Sequence, residues 1–192
     1  MNSIKLRSIF FCMALSWPLS SFSETRDSPH LLSTVKTFYG WVLKNGEVAS
    51  RLEPKIKNVP DSTRFFLDTS SLKVFTDKFM SSGLFLPGFP NAVTRYYTKY
   101  KNEFETLTQN DFDQYAHDGR GPLMDVEDMD IYFCAQEYEY TPEFIAALKV
   151  VNSTVNGARA TAVIESPYKW QTTFHFSKVK GQWLISGYCV YQ

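Results

Sequence analysis

Apolar residues recur at helical spacing in three stretches of this chain and at a spacing of two in its last third. Leu31, Leu32, Val35, Phe38, Tyr39 and Val42 share one face of a first helix. Ser28 as cap with Pro29 in the first turn predicts its start, and Asn45-Gly46 predicts its end. Residues 47–68, interrupted by Pro54 and Pro60, predict short helical turns and loop. A second helix is expected over 70–82, with Leu72, Phe75, Phe79 and Met80 as its stripe and Gly83 as its stop. A third is expected over 91–107, with Val93, Tyr97, Tyr100, Phe104 and Leu107 on one face. The connection between them, Leu84 to Pro90, is apolar enough to lie against the core, an exposed partner patch being the competing reading.

From residue 156 onward, strand-like runs are punctuated by Asn156-Gly157, Ser166-Pro167 and Lys180-Gly181, which predicts consecutive antiparallel hairpins. A two-residue turn at Lys180-Gly181 sets Phe176 opposite Ile185, Phe174 opposite Gly187, Thr172 opposite Cys189 and Trp170 opposite Tyr191. That register gives one apolar, inward face. The outward face then carries Gln171, Thr173, His175 and Ser177 against Val190, Tyr188, Ser186 and Leu184. A slip of one residue would bury His175 and Gln171 in place of the two Phe rings, each worth roughly 1.5–3 kcal/mol when buried.

Residues 1–23 read as a signal peptide. Lys5 and Arg7 form the basic start, Ile9 to Trp17 the apolar run, and Ser21-Phe22-Ser23 the cleavage site before Glu24. Ser16, Pro18 and Ser20 interrupt the run, against a membrane anchor, and Ile-Phe-Phe before Cys12 argues against lipidation. The expectation is a cleaved, periplasmic or secreted protein, with residues 24–192 as a single α+β domain and no membrane anchor after cleavage. Cleavage removes Cys12 and leaves Cys134 and Cys189, an even pair that predicts a disulfide in an exported protein. Free buried thiols are the alternative. Neither Cys lies in a C-x-x-C motif, so redox catalysis and a zinc site are poor readings. Without residues 1–23, and so without Lys5 and Arg7, 169 residues carry 18 Lys and Arg against 20 Asp and Glu. A chain so balanced is not built for nucleic acid. Its 16% aromatic residues predict a core of Phe, Tyr and Trp.

The charges are unevenly spread. Residues 111–143 hold ten carboxylates, Asp111, Asp113, Asp118, Asp125, Glu127, Asp128, Asp130, Glu137, Glu139 and Glu143, against the single basic residue Arg120. A calcium loop in D-V-E-D-M-D lacks the glycine and closing glutamate of an EF-hand, so no metal is assigned. Paired-carboxylate catalysis needs a spacing that neighbours in sequence do not supply. His117, a loop His beside Asp118, has no nearby nucleophile to activate. A solvated edge, or a recognition surface in which aromatics accompany the charges, fits the run better. Asp125, Glu127, Asp128, Asp130, Tyr132, Glu137, Tyr138 and Glu139 are therefore the candidate partner-binding residues, suited to a protein with a basic surface.

Helices first, then an acidic segment, then antiparallel strands, with F-Y-G-W-V-L in the first helix and K-x-x-G-x-W-x-I at Lys178–Ile185, resembles the nuclear transport factor 2-like superfamily. More narrowly, residues 30–192 are similar to exported bacterial proteins of that superfamily classed as a domain of unknown function. Some of those are lipoproteins, and this chain departs from them in having no usable lipidation Cys. The resemblance implies N-terminal helices packed on a curved antiparallel sheet, as a cone. It also implies an enzymatic alternative, because dehydratases and isomerases of the superfamily place Asp, His or Tyr inside the cone. The inward register shows Trp170, Thr172, Phe174, Phe176, Ile185 and Cys189 with no acid or base, and turns His175 outward. The leading expectation is thus a non-enzymatic periplasmic protein-binding domain without cofactor, with an immunity protein against a toxic effector as one version. A small-molecule-binding or catalytic cone would be lined by Tyr97, Tyr100, Trp170 and Phe174. An envelope structural domain would pair as a homodimer through Tyr188, Leu184 and Val190 on the outer sheet face.

Overall fold

The computed structural model describes residues 27–119, 121–122, 124, 129–136 and 139–192. The expected signal peptide and Asp125, Glu127, Asp128, Glu137 and Tyr138 lie outside the described residues. The chain is α+β. Helix α1 (Ser28–Leu52) is followed by a hairpin of β1 (Lys55–Asn58) and β2 (Phe65–Asp68). Helices α2 (Leu72–Met80), α3 (Phe89–Thr106), α4 (Gln109–His117) and α5 (Pro142–Ala147) come next. Strands β3 (Lys149–Asn156), β4 (Arg159–Glu165), β5 (Gln171–Val179) and β6 (Gln182–Tyr188) then form an antiparallel meander in the order β3-β4-β5-β6. Helix α1 lies across the inner face of this sheet, touching β3, β4 and β6, with α2 and α5 against its sides.

The apolar stripes go where their periods send them. Leu31, Val35, Phe38, Tyr39 and Val42 of α1 meet Phe75 and Phe79 of α2, Val93 and Tyr97 of α3, and Ala162, Phe174, Phe176 and Ile185 of the sheet in one core. Rings make up much of it: Phe79 alone lies within 6.5 Å of Phe38, Trp41, Phe75, Phe85, Phe89, Tyr132 and Tyr191. The connection 84–90 packs inward as the core reading requires. Leu84 O accepts from Ile185 N and Ile185 O from Leu86 N, both at 2.8 Å, so the segment lies along β6 and delivers Phe85 and Phe89 to the interior.

Several boundaries differ from expectation. Helix α1 runs through Asn45-Gly46 instead of ending there. Asn45 donates to Trp41 O at 3.0 Å and accepts from Lys78 at 3.1 Å, and a Cβ on Gly46 would already meet Val42 at 3.1 Å. The two Asn45 bonds offset part of the roughly 1 kcal/mol that glycine costs inside a helix. Ser28 is not the cap but the first helical residue, buried, with its hydroxyl 2.7 Å from that of Ser153 in β3. Residues 47–68 are the end of α1 and a β-hairpin, not turns and loop. Pro54 and Pro60 bracket β1 and do not interrupt it, and one face of the hairpin packs through Leu67 and through Phe65, 6.2 Å from Phe112. Helix α4 begins at a capping box in which Thr108 Oγ1 accepts from Asp111 N and Asp111 Oδ2 from Thr108 N, so one member of the acidic run is a helix cap.

The terminal hairpin keeps its predicted register only as far as Phe176 opposite Ile185. Ser186 is then an extra residue, and His175 pairs with Gly187 and Phe174 with Tyr188. The bulge changes which side Tyr188 faces. It is wholly buried, its ring parallel to that of Phe174 at 5.1 Å, and so is not on the outer dimer face proposed from the sequence; Leu184 and Val190 are half-buried. The expected pairs Thr172–Cys189 and Trp170–Tyr191 do not form, because the chain turns back after β6: Tyr188 and Tyr191 exchange backbone hydrogen bonds of 2.9 Å. His175 faces outward as expected.

Candidate functional site

Asp130 was expected on a recognition surface and instead organises the turn that follows it. Its Oδ1 accepts from the N–H groups of Tyr132 at 2.8 Å and Phe133 at 2.9 Å, and its backbone pairs with that of Ala135. A short carboxylate two or three residues ahead of free N–H groups closes a turn of this kind. The remaining carbonyls of the turn are met from three directions. Tyr39 of α1 donates to Phe133 O at 3.2 Å, Tyr188 of β6 to Ile131 O at 3.1 Å, and Trp170 Nε1, just before β5, to Cys134 O. Cys134 bonds Cys189, 55 residues on, with a Cα–Cα distance of 5.6 Å, and both adopt left-handed backbone at φ 52° and 53°. The predicted disulfide is therefore present and joins this turn to the one after β6.

Tyr132, 2% exposed, is likewise interior, against Phe75 and Phe79. Of the described members of the expected acidic and aromatic surface, only Glu139 is exposed; Asp130 is half-buried. The alternation of acids with aromatics in the sequence has a packing cause here, since the aromatics go in and Asp130 closes the turn that takes them there.

The four expected cavity residues do not converge on one space. Tyr97 and Tyr100 of α3 pack against Tyr96, and Tyr97 also against Phe75 and Tyr191; Phe174 packs on Tyr39, Phe176 and Tyr188; Trp170 sits half-buried at the rim. Tyr97 instead anchors a polar chain that the sequence did not announce. Its hydroxyl donates to Glu53 Oε1 at 2.9 Å and lies 3.1 Å from that of Tyr191. Burial raises the Glu53 carboxyl above its ordinary range against the lowering effect of the Tyr97 bond, and the charge of Asp130 raises it further. Burial raises Asp130 too, opposed by its two backbone donors. The phenols of Tyr39, Tyr97, Tyr132, Tyr188 and Tyr191 are all pushed upward, chiefly by burial, so they stay neutral, and all but Tyr132 act as hydrogen-bonding groups. Raised carboxyls beside phenols are chemically suggestive, yet each bond drawn above ties one segment of the fold to another.

Concavities lie at the surface. A groove of about 510 Å³ runs between the start of α1 and the β5–β6 turn. In it, Asp27 accepts from Trp183 Nε1 at 3.2 Å and Lys178 at 3.4 Å, which lowers its carboxyl, the Trp183 bond having the largest effect. A hollow of about 400 Å³ lies on the outer sheet face around His175, and one of about 230 Å³ lies between β2 and α3. Among the described residues, no group of three or more His, Cys, Asp and Glu gathers as a metal site, and no helix is long and apolar enough to cross a membrane. No family model, curated protein or solved structure matches the chain.

Proposed function

We propose that this chain is an exported, non-catalytic domain with a nuclear transport factor 2-like cone, and that it binds a protein partner through its acidic segment. The observation that carries this reading is the use made of the interior. Tyr39, Tyr188, Trp170 and Asp130 hold the 129–135 turn, and Tyr97 holds Glu53 and Tyr191, so Trp170 and Tyr97, two of the residues expected to line a cavity, serve with their neighbours as internal ties. Recognition is left to the surface. The disulfide supports export to an oxidising compartment. An excess of carboxylates suits a basic partner such as a secreted enzyme, the immunity version of this function.

The test is capture of a basic partner by the protein lacking residues 1–23, repeated after Asp125, Glu127 and Asp128 are changed to Lys. Asp130 is left intact, because its reversal would open the turn. Loss of capture with an unchanged circular dichroism spectrum is the expected result. Undiminished capture would remove the acidic segment from the contact. Mass measurement of the protein from a periplasmic extract checks export, with cleavage after Ser23 expected.

A further inference from the structure

We propose that the outer face of the sheet holds an oxyanion site at the cross-strand pairs Arg159–Ser177 and Thr161–His175, and that its ligand is phosphate or sulfate, free or as an ester. These four residues are direct partners in the β4–β5 register and point away from the helices. They mark the corners of a rectangle about 4.8 Å across the strands and about 6.7 Å along them. The side chains that rise from these corners line one hollow; with the Thr161 hydroxyl held by His175, an oxyanion there meets the Arg159 guanidinium, the Ser177 hydroxyl and the His175 imidazole.

The hollow of about 400 Å³ at this place results from small side chains around a large one. His175 is flanked by Thr161 and Ser177, and its partner on β6 is Gly187, which adds no side chain. The bulge places Ser186 in the same lining, and Thr154 adds a hydroxyl from β3. Among the described residues, no carboxylate lines the hollow. The acid at the far end of β4, Glu165, is held by Lys169 at 2.9 Å and Gln171 at 3.2 Å. Arg159 is exposed and has no carboxylate partner among the described residues. His175 Nδ1 lies 3.2 Å from Thr161 Oγ1. When that hydroxyl donates to Nδ1, Nε2 carries the hydrogen and offers it outward. The hollow offers donors and a single cation, Arg159, which selects an anion with several acceptor oxygens.

The site is independent of the acidic segment, and failure of either leaves the other standing. Its test is an amide chemical-shift titration of the isotope-labelled protein with phosphate, sulfate and chloride at matched ionic strength. Saturable shifts confined to the hollow with phosphate or sulfate, absent with chloride, are expected. Arg159→Ala should weaken binding at least tenfold and Arg159→Lys less, because lysine keeps the charge and loses the fork. His175→Gln gives a second variant that leaves Arg159 untouched and should weaken binding severalfold. Glucose 6-phosphate binding more tightly than phosphate, with glucose inert, assigns the site to an ester; equal binding assigns it to the free ion. Shifts that chloride reproduces, that fall elsewhere, or that survive Arg159→Ala unchanged overturn the site.

Discussion

At the scale of single residues, two half-buried carboxyls have different tasks. Asp130 satisfies two N–H groups that would otherwise be sealed from water. Asp130→Ala should therefore cost roughly 2–4 kcal/mol, as two unmade hydrogen bonds, while Asp130→Asn, which keeps Oδ1, should recover most of it. Urea unfolding of the two variants measures the difference. Glu53 contributes in the opposite sense with pH. Its folded-state ionisation is raised by burial, so its contribution is fully present below the ordinary carboxylate range and is lost as pH rises through the raised value. Glu53→Gln keeps an acceptor for Tyr97 and cannot ionise. Thermal melts across the acid-to-neutral range should show the variant gaining a few degrees over the parent at neutral pH and matching it in acid. Loss of stability at neutral pH would show that the charge is needed.

At the scale of elements, the bulge at Ser186 and the turn after it decide what the last strand presents. A Cβ on Gly187 would stand 2.8 Å from Tyr191 O, a contact that backbone must move to relieve. Gly187→Ala should cost about 1–3 kcal/mol, read from denaturant midpoints. Cutting the Cys134–Cys189 bond, by reduction or by Cys189→Ser, should cost on the order of 4 kcal/mol and expose Tyr188 and Tyr191, visible as a change in tyrosine fluorescence. The bulge also shows where periodicity stops informing. Alternation places Phe174, Phe176 and Ile185 correctly, but an inserted residue is invisible to a rule of period two, and Tyr188 lands on the other face. Asn45-Gly46 misleads for a related reason: a bond that holds α1 at this point reaches Asn45 from Lys78, 33 positions away in sequence.

At the scale of the whole molecule, the α+β order, helices α1, α2 and α3 and the disulfide were legible, because each rests on a strong local pattern or on counting cysteines. The small β1–β2 hairpin was not, since strands of four residues leave too few alternations to read. The candidate site was legible in part. An acidic, aromatic run is evident in the sequence, but whether Tyr132 looks outward or packs on Phe79 depends on the turn that Asp130 closes and on the rings it meets there once the chain is folded. The Glu53–Tyr97–Tyr191 chain joins three segments with no sequence signature linking them, and only the folded contacts bring it together.

The bond between Cys134 and Cys189 also sets an order of events. Cys134 is synthesised 55 residues before its partner, and the turn that contains it draws a donor from β6, made almost as late. Until that strand emerges, the turn lacks both its Tyr188 bond and its covalent tie, and Phe79 lacks Tyr191. The interior of this protein is thus closed from its carboxyl side: Phe79 and the 129–135 turn gain Tyr191, Tyr188 and Cys189 only once the last strand has been made.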